Sequence, residues 1–147
     1  MGIQQTDLFF GSTKTAAVTS SSSAIIGSTI NMGANRDFYD TARSNNAGKT
    51  GGLWLTILCE TIFATSGSPV ITIALNTKAS ASVSSAATTL VSATGLSQTL
   101  AAGTYVYQGP VPAGMLQYCG IVISASSGKV SSGAITAFLS LDADLNT

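Results

Sequence analysis

LWLTILCETIFATSGSPVITIALNT, residues 53–77, is the stretch that decides the fold class. In its first half Leu53, Leu55, Ile57, Cys59 and Thr61 share one parity, and Trp54, Thr56, Leu58, Glu60 and Ile62 the other. Successive side chains of a strand point to opposite faces. Both faces here are largely apolar, so the run is expected as a central strand covered on both sides, or partly buried at an interface. The second half alternates more cleanly, with Ile71, Ile73 and Leu75 against Thr72, Ala74 and Asn76. Between the halves, ATSGSP supplies Gly67 and Pro69 for a turn. A β-hairpin over residues 53–77 is therefore the expectation.

Working outward, the same signals recur at short spacing. AIIGSTINM (24–32) reads as a first strand in which Gly27 weakens the run or marks a bulge. TTLVS (88–92), TYVYQGPV (104–111), QYCGIVIS (117–124) and AITAFLSLD (134–142) follow. SSGKVSSG, with Gly128 and Gly133, suits a loop or hairpin between the last two. No window shows helical periodicity. About seven short strands separated by Gly, Pro and Ser turns predict an all-β sandwich or barrel. Two segments resist assignment: KASASVSSAA (78–87), a loop or an edge strand, and GANRDFYDTARSNNAGKTGG (33–52). The second is a long loop, and a structureless loop of that length in a compact domain is either functional or mobile.

Composition narrows function. Among 147 residues only 8% are charged, six basic and six acidic, and the net charge is zero. Ordinary soluble domains carry about 25%. Hydroxyls take their place, with 21 Ser and 19 Thr. Six scattered cations do not make the footprint that phosphate-backbone binding needs, so no nucleic-acid partner is expected. The chain has no His, which removes the commonest metal ligand and the His-based nucleophilic sites. No metal, cofactor or catalytic residue is expected, and the chain does not read as an enzyme. The longest strongly apolar run, LWLTILC, is far short of the roughly 20 residues of a spanning helix, and no membrane partner is expected. Cys59 and Cys119 lie inside apolar runs and read first as free buried thiols; a bridge between them stays open if their strands are neighbours.

The apparent motifs are weak. Gly48–Lys49–Thr50 echoes a phosphate loop, but Arg43 stands where the first glycine is required. Asp142 and Asp144 read as a solvated tail. Five of the twelve charges, Arg36, Asp37, Asp40, Arg43 and Lys49, fall in the 33–52 loop. A near-neutral surface favours association, and edge strands without lysines can pair with another chain. Interaction is therefore assigned to Leu8, Phe9 and Phe10, read as apolar residues outside the β domain, and to Arg36, Asp37, Arg43 and Lys49.

Four pieces in order, INMGANRDFYD (30–40), residues 53–77, LAAGTYVYQGPVPAGMLQYCGIVI (100–123) and SSGAITAFLSLD (131–142), resemble the capsid cement (decoration) proteins of Bordetella-phage type. The resemblance implies a single small jelly-roll-like β-barrel or sandwich of six to eight antiparallel strands, with an N-terminal extension over 1–23 and the β domain over 24–147. It implies a structural virion protein on the outer capsid surface, assembled in the host cytoplasm. Its partners would be the major capsid protein and itself, a dimer being favoured over a trimer. A tail-fibre, spike or other β-rich adhesion module is the alternative. A carbohydrate-binding module with Trp54 and the tyrosines as its platform is the third reading.

Overall fold

The computed structural model of the chain describes residues 9–19, 22–32, 53–96 and 100–140. They form eight strands: β1 (Phe9–Thr15), β2 (Ser22–Asn31), β3 (Trp54–Ser66), β4 (Val70–Lys78), β5 (Thr88–Leu96), β6 (Tyr105–Pro110), β7 (Tyr118–Ser126) and β8 (Lys129–Ser140). No helix occurs among the described residues. The strands make two four-stranded antiparallel sheets in the orders β1-β8-β3-β6 and β2-β7-β4-β5. The pairs β1–β8, β2–β7, β3–β6 and β4–β5 are the rungs of one long hairpin with its tip at β4–β5. Rolled up, successive rungs alternate between the sheets, which is the jelly-roll arrangement. The sheets are separate layers, so the fold is a sandwich and not a closed barrel.

The alternation read in the sequence selects the core. Leu55, Ile57 and Cys59 of β3, Ile71, Ile73 and Leu75 of β4, Cys119, Ile121 and Ile123 of β7, and Ile135, Ala137 and Leu139 of β8 are all buried in one cluster. At about 1.5–3 kcal/mol for each large apolar side chain taken from water, this layer dominates the favourable side of folding. Thr77 is a fully buried polar residue with its hydroxyl satisfied twice. It donates to the Tyr118 carbonyl at 2.9 Å and accepts from the Leu116 amide at 2.7 Å.

Three expectations need correction. The 53–77 hairpin does not form: β3 and β4 lie in different sheets, and residues 67–69 carry the chain across as a corner. That corner needs left-handed backbone at Gly67 (φ 78°) and Ser68 (φ 53°), and a Cβ on Gly67 would stand 3.1 Å from Gly128 Cα. Gly128 lies in the β7–β8 turn, so SSGKVSSG is likewise a corner rather than a loop, with β8 under way by Lys129. The domain does not begin at 24. β1 lies at the edge of the first sheet, Phe10 is 1% exposed in the core, and Val18 bridges Val130.

The 78–87 segment is a loop closed over the outer face of the second sheet. Val83 is completely buried there, against Gly120, where an added Cβ would come within 2.7 Å of Val83 Cγ2. Lys78 Nζ donates to the Ser85 carbonyl at 2.7 Å and Asn76 Nδ2 to the Val83 carbonyl at 3.2 Å.

Candidate functional site

Both thiols are free and buried, one in each sheet. Burial pushes the Cys119 thiol up from the usual 9.0 to about 12; burial also raises Cys59. A buried thiol of raised pKa is a poor nucleophile, so neither cysteine supplies chemistry. The sign of the linkage follows. The folded state holds a proton on Cys119 that the unfolded chain releases near pH 9, so stability from this group is intact below pH 9. It is lost as pH rises toward 12. Urea midpoints should be flat near neutrality, fall above pH 9 in the wild type, and fall less steeply in Cys119→Ala. Equal slopes would contradict this. Among the described residues no group of three His, Cys, Asp or Glu lies close enough to hold a metal ion.

The outer face of the β1-β8-β3-β6 sheet is built by the residues that alternate with the core. Register sets them in rows across the strands. One row is Phe9, Phe138, Thr56 and Gln108, the next is Trp54, Ser140 and Pro110, and a third on the other side of the first is Leu58, Thr136 and Tyr105. Tyr105 is 58% exposed; Phe9, Trp54, Leu58 and Phe138 are half-buried. Four of the ten aromatic residues thus share this face. Of the tyrosines, Tyr105 shares this face with Trp54 and Tyr107 does not. Tyr107 packs against the core and donates its hydroxyl to the Pro110 carbonyl at 3.0 Å. Among the described residues the buried Trp54 indole N–H has no hydrogen-bond partner.

The opposite outer face is different in kind. Ser23, Ser124 and Thr72 stand in one registered row. They line a shallow depression of about 340 Å³ that adjoins a second, of about 430 Å³, beside Lys129.

The ends of the sandwich differ too. Consecutive strands run in opposite senses, so β1 begins, β2 ends, β3 begins and β8 ends at the same end of the molecule, where Phe9 pairs with Phe138 and Trp54 with Ser140. Residues 1–8, 33–52 and 141–147 all join the sandwich there, and they carry eight of the twelve charges. Lys14, Glu60, Lys78 and Lys129 are the four charged residues among those described.

Of the assigned interaction residues, Phe9 lies half-buried on the outer face and Phe10 is in the core, where it is unavailable to a partner. Leu8, Arg36, Asp37, Arg43 and Lys49 lie outside the described residues. The Phe9, Phe138, Trp54, Tyr105 face was missed by the sequence reading. Its signal was the apolar second parity of residues 54–58, but the partners of that parity depend on which strands become neighbours.

No family model matches the chain, and comparison with curated proteins returns no match.

Proposed function

We propose that this chain is a structural shell protein that decorates the outside of a tailed-phage head. It binds neighbouring major capsid subunits and itself, a dimer being favoured over a trimer, and so holds the shell together. The observation that carries the reading is that the described jelly roll holds four charged residues, Lys14, Glu60, Lys78 and Lys129, whereas the segments that join it at one end hold eight of the twelve in their sequence. A protein fixed by that end to a repeating surface needs specific polar contacts there and little charge elsewhere. The order of the four quoted sequence pieces supports the same reading.

Binding only to the assembled lattice stabilises it by mass action, and many copies bridging subunits add avidity, so single contacts need not be strong. The experiment is co-sedimentation with purified heads that lack their decoration protein, at low and high salt. Saturable binding that weakens with salt, and a raised temperature of head disruption, are expected. Failure to sediment with heads at either salt would overturn the reading.

A further inference from the structure

We propose that the link between β6 and β7, residues 111–117, is the apolar centre of the contact with the capsid subunit and meets it through Pro112, Ala113 and Leu116. The inference rests on the shell function proposed above and assigns that contact its surface.

The sequence VPAGMLQ divides into anchors and exposed positions. Val111 and Met115 are 1% and 2% exposed and plug the link into the core, while Pro112, Ala113, Gly114 and Leu116 are exposed. The backbone is tied at both ends. The Val111 amide donates to the Leu53 carbonyl at 2.8 Å, and the Gln117 carbonyl accepts from the Met32 amide at 2.7 Å. The Leu116 amide donates to the Thr77 hydroxyl at 2.7 Å, and Pro112 fixes its own φ. A loop held in this way has little conformational freedom left to lose on binding, and binding residues are commonly carried on loops that a rigid scaffold positions. Leu116 is one of four exposed large apolar residues among those described. The others, Ile62, Val70 and Tyr105, stand singly on β3, β4 and β6, as scattered surface apolar residues commonly do. Leu116 instead shares an uncharged five-residue stretch with exposed Pro112 and Ala113.

The link lies at the end where β1 begins and β8 ends, since Pro110 pairs with Trp54, and Tyr118 with Asn31 and Lys78. The segments that join the sandwich at this end hold three basic and five acidic residues in their sequence, a net −2. An apolar link at the end where charged segments join has the composition of a specific interface, apolar at its centre and polar at its rim. The net sign selects the occupant. Two copies meeting by this end would bring like net charge together, whereas a shell surface with net positive charge around an apolar patch complements it. Strand addition at a sheet edge is the other route to a partner, and the edges oppose it. β1 carries two register shifts against β8, and β2 carries one around Gly27. β5 carries two against β4, and β6 is six residues long, shifted once and ended by Pro110. Bulges and proline are the devices that stop a sheet edge from accepting another strand.

Co-sedimentation of the full chain with purified heads that lack their decoration protein tests the assignment, with Leu116→Ser set against Val70→Ser. Both substitutions are neutral and both sites are exposed, 43% and 51%, but Val70 lies at the opposite end, where β4 begins. Leu116→Ser should raise the dissociation constant from heads about tenfold or more, and Val70→Ser should leave it unchanged. Circular dichroism checks that each variant is folded. Ala113→Gln, which adds bulk at an exposed position of the link, should weaken binding likewise and decides alone if Leu116→Ser is unfolded. A folded link variant that binds heads as the wild type does, or an equal loss in Val70→Ser, would overturn the assignment and leave the shell function standing. A wild type that ignores heads overturns the shell function itself, and this contact with it.

Discussion

A chain lacking residues 1–12 should fail to fold cooperatively, with no sigmoidal thermal transition and increased aggregation. Taken from the sequence alone, those residues form an extension whose loss would spare the domain. The sandwich reverses that expectation. The deletion removes Phe9, Phe10 and Gly11 from β1, and Phe10 is one of the largest fully buried side chains. Phe10→Ala alone should cost about 3–5 kcal/mol, a large part of the 5–15 kcal/mol by which domains are usually stable. At about 2–4 °C per kcal/mol for a chain of this size, that is a fall of about 10 °C in Tm. The deletion goes further, because it also removes the pairing of Phe9 with Phe138 and of Gly11 with Ala137 and so bares that side of β8, whose other side stays paired with β3. A truncated protein with a wild-type Tm would show that β1 does not hold the sandwich together.

The same element shows why part of the fold was legible and part was not. Parity marks β3, β4, β7 and β8 because each carries three or more core residues in strict alternation. β1 has seven residues and two register shifts, so no parity run is long enough to be seen. Adjacent Phe9 and Phe10 are the residual signal, one ring for each face, and read without a partner strand they look like exposed apolar surface. Alternation also says nothing about which sheet a strand joins. A three-residue link such as Gly67, Ser68 and Pro69 serves a hairpin or a corner, and the choice was made by β6 and β8 pairing with β3. The sequence groups five charges in residues 33–52, but that the described strands β1, β3 and β8 bring Phe9, Trp54 and Ser140 to one end follows only from the sense of every strand.

Low charge raised a second problem that the structure answers. Lysines at sheet edges are a common defence against unwanted pairing, and this chain has few to spend. Lys14 is the one lysine within β1, and Lys78 is turned into the 79–87 loop. The edges are instead irregular: they twist, bulge or stop. A protein can therefore be almost free of charge along its strands and still resist strand addition, provided its edges are bent out of register. Association is then steered away from the edges, toward the faces and ends.

Those irregularities are expensive to disturb, and Gly27→Ala should be among the most damaging single-methyl changes in the molecule. Gly27 sits at the shift between Ile26 and Ile30 in left-handed backbone, φ +73°. A Cβ there would run into the Phe10 carbonyl oxygen, with the Phe10 carbonyl carbon 3.0 Å away. The obstacle is backbone, so relief requires β1 and β2 to move apart, at the seam where the two sheets close on one another. The left-handed conformation by itself costs an alanine about 1–2 kcal/mol. Gly95 separates the two effects: it is also left-handed, φ +66°, but has nothing within 4 Å of its would-be Cβ. Gly95→Ala should lose about 1 kcal/mol, whereas Gly27→Ala should lose about 3 kcal/mol or more. The difference in urea midpoint at unchanged m then reads the β1–β2 contact alone. Equal losses at the two positions would mean that β1 and β2 do not touch at Gly27, and would reopen the closed side of the sandwich as a place where another chain enters.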